Sequence, residues 1–225
     1  MCGIVAFKGK SFDAGKVVFE GLKLLEYRGY DSAGVALLSE NKDLKIFKKQ
    51  GRVANSENLF SDANIRSNIC IGHTRWATHG EPSDKNSHPI LSFNKKFTIV
   101  HNGIIENYKE LKKILEDEGY SFNTDTDTEV LVNFLESCIS KSSSVEEGLT
   151  FGLSKVEGAY GIVIMDNKNP ENLYAARNGS PLAIGKFDGN FILASDATPI
   201  VKYTDKVIYL DDNSLVKIEK DSFKI

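Results

Sequence analysis

Hydrophobic positions change their spacing several times along this chain, and each change marks an element. Ile4-Val-Ala-Phe-Lys8 is a short apolar run ended by Gly9, as a buried strand would be. From Asp13 the spacing turns helical, with Val18, Leu22 and Leu25 at i, i+4 and i+7, and Gly29 is expected to stop that helix. Residues 35–38 and 44–47 read as strands joined by the polar turn 39–43, and residues 68–73 and 97–101 as two more. Between the last two, residues 74–94 look irregular and hold two of the five prolines and two of the four histidines. A connection of that length is uncommon unless it has a task.

Three helix starts follow, each with a capping-box pattern. Asn107-Tyr-Lys-Glu110 leads into Leu111, Ile114 and Leu115 and is closed by Gly119. Thr126-Asp-Thr-Glu129 precedes Val130, Leu131, Phe134 and Leu135, and Ser144-Val-Glu-Glu147 precedes Leu149, Leu153 and Val156. From Gly158 onward the pattern is strand after strand, at 161–165, 173–175, 182–185, 191–194, 206–210 and 215–218, with turns rich in Gly, Asn and Asp. There is no βαβ alternation, and the helices cluster mid-chain. An α+β fold of packed, mostly antiparallel sheets flanked by helices is therefore expected, not a doubly wound parallel sheet. No linker or internal repeat interrupts the 225 residues, so one domain over 1–225 is the expectation.

Composition narrows the partners. The net charge of −3 comes from 28 basic and 31 acidic residues spread along the chain, with no basic stripe, which argues against a nucleic-acid partner. No apolar run approaches the ~18 residues of a membrane helix, so no membrane is expected. Nor does a basic region precede an apolar one at the N-terminus, which points to the cytoplasm. The three cysteines form no CxxC pair; Cys70 and Cys138 lie among apolar residues and read as small core side chains. His73, His79, His88 and His101 have no metal-ligand spacing, so neither a metal nor a cofactor is expected.

Cys2 directly follows the initiator. Removal of Met1 would leave a thiol and a free α-amine on one residue, titrating near ~8.5 and ~7.7–8.0, so the amine could activate the thiol through a bridging water. Taken alone, Cys2 reads more readily as a chance residue ahead of a strand.

The rest of the chain decides between the two. Met1-Cys-Gly-Ile-Val5, Leu25-Glu-Tyr-Arg-Gly-Tyr-Asp-Ser-Ala-Gly34, Gly72-His-Thr-Arg-Trp-Ala-Thr-His-Gly80, His101-Asn-Gly-Ile-Ile-Glu-Asn107 and Thr124-Asp-Thr-Asp-Thr-Glu129 occur in this order. Together with Arg177-Asn-Gly-Ser-Pro-Leu182 and Leu193-Ala-Ser-Asp196, they closely resemble the class II glutamine amidotransferases of the N-terminal nucleophile hydrolases. The glutaminase domains of the glutamine–fructose-6-phosphate aminotransferases match best.

That resemblance implies an αββα sandwich in which Cys2 attacks the side-chain amide of L-glutamine. It implies that the Asn102 side chain and the Gly103 N–H hold the oxyanion, although Asn-Gly by itself is also a common hairpin turn. Arg75 is assigned to the substrate carboxylate, which its planar fork suits. Asp127 is assigned to the α-ammonium, and it would also complement a helix N-terminus. Trp76, Thr78 and His79 would line the pocket on a loop closing over substrate, with Arg28 behind the nucleophile. Ammonia would then serve glucosamine 6-phosphate synthesis from fructose 6-phosphate, in concert with a sugar isomerase domain. No sugar-phosphate loop occurs in this sequence, so an excised glutaminase half is expected, with a free-standing hydrolase as the alternative. An N-terminal Cys hydrolase of other amides and a non-catalytic glutamine-binding regulator are the competing readings. The first has no need of both Arg75 and Asp127, and the second no need of a nucleophile.

Overall fold

Alternation of side chains along the strands decides the layering. In the computed structural model, which describes residues 2–39, 41–56 and 66–225, the first strand β1 (Gly3–Lys8) is buried along its whole length. Its Ile4 and Ala6 join one apolar cluster, while Val5 and Phe7 join another on the opposite face. A strand buried on both faces belongs to an inner layer. The remaining strands are β2 (Ser32–Ser39), β3 (Leu44–Gln50), β4 (Ser67–Arg75), β5 (Ile90–Leu91), β6 (Phe97–Ile105) and β7 (Gly158–Asp166). They continue as β8 (Asn172–Asn178), β9 (Ala183–Phe187), β10 (Asn190–Ala194), β11 (Val207–Tyr209), β12 (Ser214–Glu219) and β13 (Ser222–Lys224).

Among the described residues these build two sheets, ordered β11-β9-β10-β1-β4-β2-β3 and β13-β12-β8-β7-β6-β5. Neighbouring strands pair antiparallel throughout. The central core lies between them, where Ile4, Ile71 and Leu193 of the first sheet meet Val100, Val163 and Val216 of the second. Each such fully buried side chain contributes roughly 1.5–3 kcal/mol.

Helix α1 (Ala14–Leu24) covers the outer face of the first sheet through Val18 and Leu22. Asp13 caps it, accepting from the Gly15 N–H at 3.0 Å. Helices α2 (Tyr108–Asp117), α3 (Asp127–Ser140) and α4 (Val145–Leu153) cover the outer face of the second sheet, packing Leu115, Leu131 and Leu149 onto Ile99, Ile162 and Ile164. The expected α+β sandwich is what forms.

Three local expectations need correction. The first helix ends at Leu24, not Gly29, because residues Glu26–Arg28 tighten into a 3₁₀ turn. Asn107 precedes α2 without capping it, since its amide instead bonds Lys155 O and the Glu157 N–H. The stretch 74–94 is not irregular throughout: β4 runs on to Arg75, Asn86, Ser87 and His88 are buried, and β5 pairs with β6. Strand β13 and the single-turn helix α5 (Thr198–Val201) carried too few periodic positions to be read.

Candidate active site

The register of β1 against β4 brings the chain start to the end of a second strand. Gly3 lies opposite Thr74, and Ser32 of β2 lies opposite Arg75, so Cys2 reaches the point where β4 gives way to the 76–81 turn. There Cys2 Sγ accepts the Trp76 N–H at 3.2 Å. The Cys2 carbonyl accepts twice, from Asn102 Nδ2 at 3.0 Å and Arg28 Nε at 3.1 Å. Arg28 is therefore closer to the nucleophile than expected, touching its carbonyl directly and pairing with Asp196 at 3.6 Å. Met1 lies outside the described residues.

Asn102 and Gly103 do not make a hairpin turn. They sit inside β6, opposite Gly161 and Tyr160 of β7. Gly103 has φ +134°, and a Cβ there would run into the Ala159 carbonyl, so only glycine fits. Backbone N–H groups alternate sides along a strand. Glu106 donates toward the β7 side, to Glu157 O at 2.9 Å, whereas Ile105 donates away from it, to Asp127 Oδ2 at 2.9 Å. The Gly103 N–H, two residues before Ile105, thus points away from β7 into the cavity that Gly103 lines. Asp127 opens α3, capped by Thr126 Oγ1, which accepts the Glu129 N–H at 3.2 Å. Asp127 is 4% exposed and stands at a helix N-terminus, where negative charge is favoured.

Arg75, 3% exposed, turns its guanidinium onto the loop that follows it. Nη2 donates to His79 O at 2.6 Å and Gly80 O at 2.9 Å, and Nη1 to Glu81 O at 3.3 Å. Cys2, Arg75, Trp76, Thr78, His79, Gly103 and Asp127 line one cavity, together with His88, His101, Thr126 and Thr128. At about 20 Å³ it has room for a single water, so admitting an amino acid requires the 76–81 loop to move. The Trp76 ring is 49% exposed and meets Tyr30 edge-on at 5.4 Å, leaving the loop's outer side open. A larger cavity, about 550 Å³, lies at the far end of β1 around Lys8, away from all of these residues.

A thiol, an amide donor, a free strand N–H, an arginine and a buried carboxylate converging at one end of two sheets is the equipment of amide hydrolysis. The model of the glutamine amidotransferase domain matches residues 73–202. This chain belongs to that family. Among curated relatives, the glutamine–fructose-6-phosphate aminotransferase (isomerizing) of Bacteroides thetaiotaomicron is 48% identical over 221 residues, which is 98% of this chain and 36% of that protein. Its namesake in Chlorobaculum tepidum is 45% identical over 230 residues, 100% of this chain and 37% of that protein. The chain thus spans little over a third of these relatives. Among solved structures, glutamine phosphoribosylpyrophosphate amidotransferase from B. subtilis superposes with a TM-score of 0.83 at 26% identity, covering 99% of this chain and 48% of that one. The fold is that of the N-terminal nucleophile amidotransferases.

Within this glutamine amidotransferase domain, sequence reasoning missed several residues that shape the site. Asp31 Oδ2 takes the Ala77 N–H and Asp31 N donates to Arg75 O at 3.1 Å, so it anchors the turn that presents Trp76 to Cys2. Gly29 permits this approach, because a Cβ there would lie 2.7 Å from the Arg75 carbonyl. His88 and His101 line the cavity and His73 stacks on His88, all three buried. Burial holds all three below the ordinary imidazole range, His73 down to about 3, so they are neutral. Asp31 lies in the Leu25–Gly34 motif with no chemical cue of its own, and the spacing of these histidines in the sequence speaks only to metal ligation. Among the described residues no group of three or more His, Cys, Asp or Glu could hold a metal ion, and no helix is long and apolar enough to cross a membrane.

Proposed function

We propose that this chain hydrolyses L-glutamine to glutamate and ammonia through a γ-glutamyl thioester on Cys2. The observation that carries this reading is that Cys2 and Gly103 line one cavity with Arg75 and Asp127, while the Asn102 amide donates to the Cys2 carbonyl beside it. Loss of Met1 frees the Cys2 α-amine, which takes the thiol proton through a water. The thiolate adds to the amide carbon, forming the S–C bond while the π electrons move to oxygen. Asn102 Nδ2, whose second hydrogen is not needed by the Cys2 carbonyl, and the Gly103 N–H receive that oxyanion. Return of the proton to nitrogen expels ammonia. Water, deprotonated by the same amine, then cleaves the thioester and restores Cys2.

Arg75 takes the substrate carboxylate and Asp127 its α-ammonium, with Trp76, Thr78 and His79 forming the lid and Arg28 steadying the Cys2 backbone. The arginine fork exchanges its three loop carbonyls for the carboxylate as the loop moves. By analogy with the relatives named above, the ammonia goes to fructose 6-phosphate on a sugar isomerase domain. Three unpaired cysteines suit a reducing cytoplasm.

The test is glutamate and ammonia release from the purified chain, with intact mass measured on the same sample. Equimolar products from a protein lacking Met1 are expected. Full activity from protein retaining Met1 would remove the amine from the mechanism, and no glutamate release from the Met1-free protein would refute the reading.

A further inference from the structure

His73 lies in β4 with 1% of its surface exposed, and it has no part in substrate binding or proton transfer as described. Its Nε2 is 2.9 Å from the His101 carbonyl and 3.0 Å from Asn102 Oδ1. The orientation of the Asn102 amide follows from its other end: the Cys2 carbonyl can only accept, so the amide nitrogen must face it, at 3.0 Å. Oδ1 therefore faces His73, and Nε2 stands between two acceptors. A nitrogen so placed must carry the hydrogen, which makes the ring the Nε2–H tautomer. Nδ1 finds no hydrogen-bond partner, and the ring stacks on His88 at 4.3 Å. His88 is itself held, its Nε2 2.9 Å from Thr128 Oγ1, an atom shared at 2.9 Å with His101 Nδ1.

We infer that His73 is a positioning residue for amide hydrolysis: its Nε2–H locks the Asn102 side chain with Oδ1 turned inward and Nδ2 turned toward the reacting carbon. The inference rests on the proposed role of Asn102 as oxyanion donor. An asparagine amide can rotate by half a turn at little steric cost, and the two orientations are catalytic opposites. One offers the developing oxyanion a hydrogen; the other offers it a second negative oxygen. Two contacts exclude the wrong orientation, the Cys2 carbonyl at Nδ2 and the His73 Nε2–H at Oδ1, and only the second is independent of the residue that reacts. The carbonyl of His101 shares the hydrogen and aims it, so β4 of one sheet sets a side chain on β6 of the other.

The experiment compares His73→Leu, Asn102→Ala and their double variant in kcat and KM for glutamine. It adds the affinities of a γ-aldehyde analogue and of glutamate. The aldehyde carbon accepts the Cys2 sulfur as a hemithioacetal, with its oxygen in the oxyanion position, whereas glutamate forms no such oxygen. Asn102→Ala is expected to lower kcat by ~10²–10³. His73→Leu should lower kcat by about 10–100-fold, since a misoriented donor retains part of its function. Its KM and glutamate affinity should stay within about twofold, and aldehyde affinity should fall in step with kcat. The double variant should be no worse than Asn102→Ala, because both changes remove one donor. Multiplicative losses, an unchanged kcat in His73→Leu, or parallel loss of glutamate affinity would overturn the inference. A near-normal kcat in Asn102→Ala would instead overturn the oxyanion reading beneath it. If His73→Leu does not fold, His73→Gln and His73→Asn carry the comparison, since Gln sets its amide nitrogen near Nε2 and Asn near Nδ1. Only the Gln variant should keep the aldehyde-to-glutamate affinity ratio; equal loss of that ratio in both would sink the positioning role.

Discussion

Burial raises the Cys2 thiol, and Asp31 adds to the rise, while the Trp76 N–H and the Arg75 charge work in the other direction. The net result is a sulfur that stays protonated at neutral pH unless a base acts on it. A serine in this position would be several orders of magnitude harder to ionise, with the same weak amine as its base. Cys2→Ser should therefore keep the fold and the glutamine affinity while kcat drops by more than about 10³-fold. Steady-state kinetics and a binding measurement on the same variant check this, and comparable losses in affinity and turnover would assign Cys2 to recognition instead. Asp31 acts one step back, through the turn. Asp31→Asn keeps an acceptor oxygen for the Ala77 N–H and should retain most activity. Asp31→Ala frees the turn carrying the Trp76 N–H away from Sγ, and kcat should fall by about tenfold at unchanged Cys2 alkylation stoichiometry.

At the scale of elements, the site is a meeting of strand ends with one helix start, and the loop 76–81 is the part that must move. Arg75 holds that loop by three carbonyls, and the proposed role requires it to release them for a carboxylate. A lysine can offer charge but not the fork. Arg75→Lys is therefore expected to raise KM for glutamine by more than tenfold, with a smaller change in kcat, and to make the 76–81 segment more open to proteolysis. An unaltered KM would move the carboxylate contact to another residue. Much of this architecture was legible in the sequence because strands buried on both faces stand out as short apolar runs, and two of three predicted caps, Thr126 and Ser144, close on their N3 amides. Asn107 deceived because its side chain found better partners in the 155–157 turn, a tertiary bond that no local pattern announces. The 74–94 stretch deceived for a similar reason: Asn86 and His88 are polar yet buried, Asn86 Oδ1 accepting the Asp125 N–H and His88 Nε2 bonding Thr128 Oγ1. Cys2, Asn102 and Gly103 were readable from motifs. The tautomer of His73 was not, since it is defined by two acceptors contributed by a different sheet.

The whole molecule is joined across its two sheets by that histidine cluster, and this makes the fold sensitive to mild acid. His73 comes from the first sheet, His101 from the second, and His88 from the connection between β4 and β5, all buried and neutral. In the unfolded chain each titrates near ~6.5. The folded-state value is lower in every case, so the unfolded state binds more protons once the pH falls below about 6.5. This contribution leaves stability intact above that pH and erodes it on the way down, the loss for His73 continuing until about pH 3, where its folded form also titrates. At pH 5 His73 alone should cost roughly 2 kcal/mol, and His88 and His101 add in the same direction. Against a total of ~5–15 kcal/mol for a domain, that is a large share. Denaturant midpoints measured from pH 7.5 to 5.0 should therefore fall steadily below pH 6.5, in a window above the carboxylate range. Replacing His73 and His88 together by Gln should flatten the fall, even though the variant starts from a lower midpoint. A wild-type midpoint that holds level down to pH 5 would mean the cluster takes up protons in the folded state, and with them the Nε2–H geometry that holds Asn102 would have to be redrawn.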